Sequence, residues 1–99
     1  MRIVAVTACP TGIAHTYMAA EQIEKTARAL GHEIRVETQG SLGIENELAA
    51  GDIRDADVVL LAVDIEVEAR ERFAGKRIVE VPVQEVIRNP RAVFAKLGA

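Results

Sequence analysis

The residue with the strongest nucleophilic chemistry in this chain is Cys9, its single cysteine. It follows a short apolar run, residues 3–6, and precedes a helical pattern of apolar residues. Backbone N–H groups at a helix start have no intrahelical acceptor, and with the helix dipole they form an anion site. The same position favours thiolate, the nucleophilic form, over thiol. This predicts a cysteine that accepts a phosphoryl group, in a phosphate-binding loop formed by Pro10, Thr11, Gly12, Ile13, Ala14, His15 and Thr16. The alternative is that Cys9 is a small buried apolar residue, as free cysteines often are.

The residues of this loop differ in what they can contribute. Gly12 permits a positive φ and lets the backbone approach a ligand closely, and Pro10 restrains the preceding residue to extended conformations. His15 is a cation that stabilises transferred phosphate, a donor that fixes the loop, or a partly buried histidine bonded to backbone. Thr11 and Thr16 either hydrogen-bond the sulfur or the phosphate, or cap the helix. None of these roles needs a metal ion, and we expect no cofactor.

A second polar segment, residues 38–43, follows the second predicted strand and so emerges at the same sheet edge as the cysteine. Gln39, Gly40 and Ser41 either form a second wall of the site or make an ordinary connection whose glycines serve turn geometry. Asp64 ends the third predicted strand at this edge. It either orients a neighbour or caps the helix that follows, and capping is the expectation.

Strand and helix patterns alternate along the chain, which predicts right-handed crossovers and a parallel sheet with helices on both faces. Residues 58–63 are apolar throughout, as in a central strand covered on both faces. Residues 33–37 alternate, which predicts an edge strand with one open face. The predicted fold is a Rossmann-like, three-layer α/β/α fold with a four-stranded parallel sheet of order 2-1-3-4. Cys9 then lies at the switch point beside the first strand, where open sheets bind ligands.

The first helix is the longest predicted element. We expect it to end at Gly31, with Tyr17 and Met18 in or beside the core. Its apolar stripe consists of Ile13, Tyr17, Ala20, Ile23, Ala27 and Leu30.

The other predicted helices are shorter. Residues 44–50 and 65–73 are each expected to form one, and residues 82–97 form the last. Because proline disrupts a helix interior, Pro90 predicts a kink or break near Asn89.

Composition excludes several classes of function. The net charge is −3 and only three residues are aromatic, which argues against a nucleic-acid partner. The chain has no signal-peptide layout and no apolar stretch of about 20 residues, so we expect no direct membrane insertion. A single cysteine allows no internal disulfide, which suits a reducing cytosol.

The segment around Cys9 resembles a known family. Residues 6–20, VTACPTGIAHTYMAA, are similar to the active-site segment of the enzyme IIB component of the bacterial fructose phosphotransferase system. Residues 37–43 (ETQGSLG), 62–65 (AVDI) and 72–76 (RFAGK) resemble further segments of that family. The resemblance covers nearly the whole chain and implies one IIB domain over residues 1–99.

The resemblance also implies a reaction and two protein partners. The phosphorylated cysteine of the family falls on Cys9, and the donor is a phosphohistidine of the enzyme IIA component. The acceptor is fructose held by the membrane-embedded enzyme IIC, with mannose-type or glycerate-linked sugars as the alternatives. The domain is expected in the cytoplasm, at the inner face of the membrane through a fused or docked IIC.

Two other classes of function remain open. The loop is also similar to that of low-molecular-weight tyrosine phosphatases, but His15 stands where they have an arginine, so the bidentate phosphate clamp is missing. This departure favours a carrier that keeps its phosphoryl group over a hydrolase. A regulatory or binding module without catalysis is the other alternative, and it predicts that Cys9 is dispensable. A redox role is weaker, since no second cysteine resolves an intermediate.

Overall fold

The computed structural model describes residues 1–10 and 13–98, in which strands alternate with helices. The strands are β1 (Arg2–Ala8), β2 (Glu33–Gly40), β3 (Gly43–Glu45), β4 (Val58–Val63) and β5 (Ile78–Val81). The helices are α1 (Ile13–Ala29), α2 (Ala50–Asp55), α3 (Val83–Arg88) and α4 (Pro90–Lys96), with a 3₁₀ turn at Arg70–Phe73.

The strands form one sheet in the order β3-β2-β1-β4-β5. β1 pairs in parallel with β2 and β4, and β4 pairs in parallel with β5. These four strands have the predicted order, and the first and third predicted strands lie in the middle, which confirms the fold class. The predicted number of strands is wrong by one, because β3 pairs antiparallel with the end of β2.

A β-hairpin replaces the loop predicted for residues 38–43. β2 continues through Gly40, Ser41 and Leu42 make the turn, and Gly43 pairs back with Gly40. Gly43 has a φ of +87°, a conformation that side-chain-bearing residues rarely adopt. These residues lack apolar alternation and so carry no strand signal; their strand pairing is a tertiary effect.

The two short helices predicted around the middle of the chain are wrong in position or type. Ile44 belongs to β3 rather than to a helix over residues 44–50, and α2 begins only at Ala50. Of the helix predicted over residues 65–73, only the 3₁₀ turn forms. Short helices are marginal on their own, so tertiary packing decides where they form.

α1 ends as predicted, and it buries Ala20, Ile23 and Ala27 of the predicted stripe but not Tyr17 or Leu30. The side chain of Ile13 lies outside the described residues. Gly31 has a φ of +80°, and the His32 N–H donates to the Ala27 carbonyl oxygen at 2.9 Å, which closes the helix. Tyr17 and Leu30 are exposed, as is Met18, so placing Tyr17 and Met18 in the core was wrong. The face that packs on the sheet consists of Thr16, Ala19, Ala20, Ile23, Thr26 and Ala27.

The predicted break near Asn89 is confirmed. α3 ends before Asn89, and Pro90 is the first residue of α4, where a missing N–H is harmless. The Asn89 side-chain oxygen accepts a hydrogen bond from the Ala92 N–H at 3.2 Å and so caps α4.

The sheet separates two apolar clusters. The cluster on one face lies under α1, α3 and α4, and the cluster on the other lies under α2 and the 3₁₀ turn. Alternate residues of β1 belong to opposite clusters, so this central strand is covered on both faces. Within residues 1–10 and 13–98, no helix has the length and apolar character needed to cross a membrane.

Candidate functional site

Cys9 lies directly after β1, at the carboxyl end of the central strand and ahead of α1. Its side chain belongs to the apolar cluster on the α1 face, and only 5% of the residue is exposed. The next residue, Pro10, is exposed. Thr11 and Gly12 of the predicted phosphate-binding loop lie outside the described residues. The end of β1 is also held by the segment after β4, because the Asp64 N–H donates to the Ala8 carbonyl oxygen at 2.9 Å.

The first turn of α1 presents different side chains to solvent and to the sheet. Ala14 and His15 are exposed, whereas Thr16 is only 2% exposed. The Thr7 hydroxyl donates to the Thr16 carbonyl oxygen at 3.1 Å, which ties this turn to β1. His15 therefore lies at the solvent side of the site, and Thr16 lies beneath it.

A narrow crevice separates this turn of α1 from the β2–β3 hairpin; it is lined by Thr16, Tyr17, Thr38, Gly40, Ser41, Leu42 and Glu45. Its outer side is closed by a hydrogen bond that the Tyr17 hydroxyl donates to the Glu45 carboxylate. This bond raises the pKa of Tyr17 above its ordinary value, since it stabilises the protonated phenol. On the inner side, the hydroxyl oxygens of Thr16 and Thr38 are buried and have no hydrogen-bond partner among the described residues.

The residues predicted as a second wall divide between the two faces of the sheet. Gly40 and Ser41 line the crevice. Gln39 is on the opposite face, where its side-chain oxygen accepts from the Glu68 N–H at 2.8 Å and its amide nitrogen donates to the Glu68 carbonyl oxygen at 3.2 Å. Gln39 thus holds the loop that follows β4.

Beside Gln39, the carboxylate of Glu37 forms a buried ionic network that the sequence analysis missed. Glu37 is 0% exposed, so the open strand face predicted for residues 33–37 is wrong at this position. Arg72 donates to both carboxylate oxygens, at 2.8 and 3.0 Å. The Leu48 N–H donates at 2.9 Å, and the Gln39 amide donates at 2.7 Å.

The protonation of Glu37 reflects a balance between burial and these donors. Burial alone would raise the pKa of Glu37, because it penalises the charged form. The hydrogen bonds from Arg72, Leu48 and Gln39 outweigh burial and hold the pKa below its ordinary value. Glu37, three residues before Gly40, and Arg72, directly before Phe73, were visible in the sequence, but nothing in their spacing indicated that they meet.

Asp64 caps a helix, but not the one that follows it. One of its carboxylate oxygens accepts from the N–H of Val83, the first residue of α3, at 3.2 Å. The residues after Asp64 form no helix before the 3₁₀ turn. Asp64 therefore links the carboxyl end of β4 to the start of α3, across the sheet edge that carries Cys9.

A second groove lies on the other side of the α1 start, between α1 and α3. Its lining residues are His15, Met18, Asp64, Val83, Gln84 and Ile87. Around the crevice and this groove, four large apolar side chains at or near the carboxyl edge are exposed: Tyr17, Met18, Leu42 and Ile65. Among the described residues, no three His, Cys, Asp or Glu side chains are grouped so that they could hold a metal ion.

Comparison with known proteins places this geometry in a family. The family model for the IIB subunit of the lactose/cellobiose-specific PTS system matches residues 4–96. The chain belongs to the enzyme IIB family of the phosphotransferase system. The resemblance of the sequence around Cys9 is thereby confirmed over nearly the full length of this IIB domain.

Relatives of this IIB domain are of the fructose-like type. The PTS system fructose-like EIIB component 2 of Escherichia coli (strain K12) is 53% identical over 98 residues, which are 99% of this chain and 92% of the relative. The PTS system fructose-specific EIIABC component of Bacillus subtilis (strain 168) is 53% identical over 95 residues, and there the match covers only 15% of the longer protein. The same kind of domain thus occurs as a short component and inside fused chains.

Solved structures share the fold. A crystal structure of a predicted fructose-specific IIB from Escherichia coli superposes with a TM-score of 0.92 at 48% identity, covering 97% of this chain and 85% of that one. A domain of a fructose-specific IIABC component from Borrelia burgdorferi superposes with a TM-score of 0.90 at 51% identity, covering 95% and 89%. The hairpin and the parallel core therefore belong to a domain of fructose-type IIB architecture.

Proposed function

We propose that Cys9 is the phosphoryl carrier of this IIB domain. The observation that supports this most directly is the position of Cys9, at the carboxyl end of a central parallel strand and four residues before the first residue of the long helix α1. Ligands of open α/β sheets bind at this edge. The unpaired N–H groups at the start of a helix favour a thiolate and a phosphoryl group at the same point.

In the first step, the Cys9 thiolate attacks the phosphorus of a phosphohistidine on the IIA component. An S–P bond forms, the P–N bond breaks, and the imidazole nitrogen keeps the electron pair. In the second step, a sugar hydroxyl oxygen attacks the phosphorus of phosphocysteine. The O–P bond forms, the S–P bond breaks, the thiolate leaves, and the hydroxyl proton is released to water.

Stabilisation of the transferring group falls to the loop of residues 10–16. Phosphoryl transfer depends mainly on positioning and on donors directed at the phosphoryl oxygens, and the backbone N–H groups of this loop supply such donors. His15 is exposed beside them and can add positive charge. Gly40 and Ser41 form the facing wall, on the other side of the crevice.

The partners in this proposal are the IIA component as donor and the membrane IIC component, with bound fructose, as acceptor. Relatives in which IIB is fused to both components support this assignment. Both partners must reach the same thiol in turn, and the exposed side chains of Met18 and Leu42 offer apolar contacts on either side of it. Such exchanges suit small, transient interfaces. In this proposal the domain works at the cytoplasmic face of the membrane, next to the IIC component.

The test is phosphorylation by phosphoenolpyruvate and the upstream carriers, with mapping of the modified residue. We expect phosphate on Cys9 in the wild type and background incorporation in Cys9→Ser, because a serine hydroxyl is far less acidic than a thiol. Ala95→Ser, which adds a hydroxyl on an exposed face of α4, serves as the control and should label normally. Phosphate on His15, or a Cys9→Ser protein labelled at the wild-type rate, would overturn the proposal. Rapid hydrolysis of a generic aryl phosphate would favour the phosphatase alternative.

A further inference from the structure

Thr38 is a buried threonine of β2 that is not part of the proposed phosphate-binding loop around Cys9. In the parallel register, Thr38 lies beside Thr7 of β1, and Cys9 follows Thr7 by two residues. Ile3 and Ala5 of β1, Cys9 directly after it, and Val36 of β2 belong to the cluster on the α1 face. By alternation Thr38 is also on this face. With about 3.3 Å per residue along a strand and about 4.8 Å between strands, Thr38 and Cys9 are diagonal neighbours about 8 Å apart.

The hydroxyl of Thr38 is in an unusual state for a buried polar group. Thr38 is 4% exposed and Thr16 is 2% exposed, and neither hydroxyl oxygen has a hydrogen-bond partner among residues 1–10 and 13–98. A buried hydroxyl without a partner destabilises the fold, and native structures contain few of them. Both residues line the same crevice, one from α1 and the other from β2. Two unsatisfied donors that face one crevice from separate elements point to a ligand rather than to a packing accident.

Resting on the proposed function, we propose that Thr38, together with Thr16, binds an oxygen of the phosphoryl group carried by Cys9. Cys9 belongs to the cluster on the α1 face, so a phosphoryl group on its sulfur is on the same face of the sheet as Thr38 and the crevice. Its oxygens carry negative charge and accept hydrogen bonds from hydroxyl groups. The backbone N–H groups at the start of α1 serve the remaining oxygens, so Thr38 adds a donor from the opposite side.

The width of the crevice defines what can enter it. The two hydroxyl oxygens are closed off from solvent, so an entering oxygen requires a small outward shift of the hairpin tip. Ser41 and Leu42 at this tip are exposed, so little packing opposes such a shift. A small shift makes room for one oxygen atom but not for a sugar ring, so we assign the crevice to the phosphoryl group rather than to the acceptor sugar.

The experiment compares Thr38→Val, Thr38→Ser and Thr26→Val with the wild type. Valine removes the hydroxyl and nearly keeps the shape, serine keeps the hydroxyl, and Thr26 is a buried threonine of α1 about 15 Å along the helix from Thr16. Each protein is phosphorylated by the phosphorylated IIA component. The transfer rate is followed by intact mass, the phosphocysteine is observed by ³¹P NMR, and stability is measured by thermal unfolding.

We expect Thr38→Val to slow phosphoryl transfer by about tenfold and to move the ³¹P resonance, because a hydrogen bond to a charged group is lost. Thr38→Ser should restore both readouts, and Thr26→Val should leave both unchanged. The melting temperature of Thr38→Val should stay level or rise, because an unsatisfied buried hydroxyl is removed. A purely structural threonine would not combine slower transfer with unchanged stability.

Two results separate this inference from the proposed function. If the wild type carries phosphate on Cys9, but Thr38→Val matches it in transfer rate and ³¹P shift, the role of Thr38 is refuted and the carrier function stands. If the wild type carries no phosphate on Cys9, both are refuted. A Thr38→Val protein whose slower transfer is matched by lower stability, with no rescue in Thr38→Ser, would also refute the binding role.

Discussion

At the carboxyl end of β2, the buried polar groups on the two faces of the strand differ in whether they have hydrogen-bond partners. On one face, the carboxylate of Glu37 receives hydrogen bonds from Arg72, Leu48 and Gln39. On the other face, the hydroxyl of Thr38 is equally buried and has no partner among the described residues. Adjacent residues of one strand thus differ completely in hydrogen-bond satisfaction.

This difference distinguishes the face that holds the fold together from the face that carries the candidate site. The satisfied face holds three segments to β2: the entry to α2 through Leu48, the loop after β4 through Glu68, and the 3₁₀ turn through Arg72. A fully satisfied polar network fixes geometry, whereas a partly satisfied one is costly unless it meets a ligand. The face with unsatisfied hydroxyls is the face of Cys9, where we propose that the phosphoryl group binds.

The largest effect on stability should come from breaking the satisfied face. Replacing Glu37 with Leu leaves Arg72 largely buried without its partner, and we expect the free energy of unfolding to fall by about 3 kcal/mol. The matched control is Glu80→Leu, which removes the exposed Arg70–Glu80 ion pair and should cost at most about 1 kcal/mol. Urea unfolding measures both, and equal losses in the two variants would contradict the comparison.

Acid should weaken the same face selectively. In the folded protein the pKa of Glu37 lies below its ordinary value. The ionised carboxylate therefore adds to the free energy of unfolding above the unfolded pKa of about 4.3, and this addition is lost as pH falls through the folded pKa. We therefore expect the stability of the wild type to decline below about pH 4 more steeply than that of Glu37→Gln. Urea unfolding at a series of pH values between 6 and 3 tests this difference. A parallel decline in the two proteins would show that the carboxylate of Glu37 has no special role in acid.

On the face of Cys9, replacing an exposed side chain should affect transfer and leave stability intact. His15→Gln should slow phosphorylation by the IIA component by less than about tenfold, because backbone N–H groups supply most of the stabilisation. Because His15 is exposed, the melting temperature should not change. Complete loss of transfer would instead make His15 indispensable, and no loss at all would remove it from the site.

The smallest effect should come from the outer side of the crevice. Tyr17→Phe removes the exposed hydrogen bond to Glu45 and should lower the melting temperature only slightly, well below the effect of Glu37→Leu. The hairpin should nevertheless become more mobile, which faster amide hydrogen exchange at Ile44 would report. Unchanged exchange would show that β2 pairing alone holds the hairpin.

Much of the fold was predictable because the strong signals are local. The apolar run of β4, the long periodic helix and the break at Pro90 each follow from neighbouring residues. The position of Cys9 at the carboxyl edge follows from the order of these elements. The sequence therefore predicted a candidate site at this edge, and the resemblance to IIB components suggested phosphoryl transfer as its chemistry.

The features that sequence reasoning missed depend on contacts between distant segments. Glu37 and Arg72 are 35 residues apart, and Tyr17 and Glu45 are 28 apart. β3 has three residues with no alternation of its own, and it exists because β2 offers it a partner. The unsatisfied hydroxyl of Thr38 was also invisible, since burial without a partner is a property of the folded chain.

The short strand β3 has a consequence for self-association. An exposed sheet edge is a template for pairing with another copy, which leads to aggregation. β3 covers only residues 38–40 of β2, and the uncovered part presents the exposed charges of Glu33 and Arg35. The opposite edge, β5, is four residues long and carries the exposed Glu80. Short and charged edges of this kind oppose the addition of a strand from another copy. The domain can therefore expose apolar side chains at its carboxyl edge and still resist aggregation at high concentration.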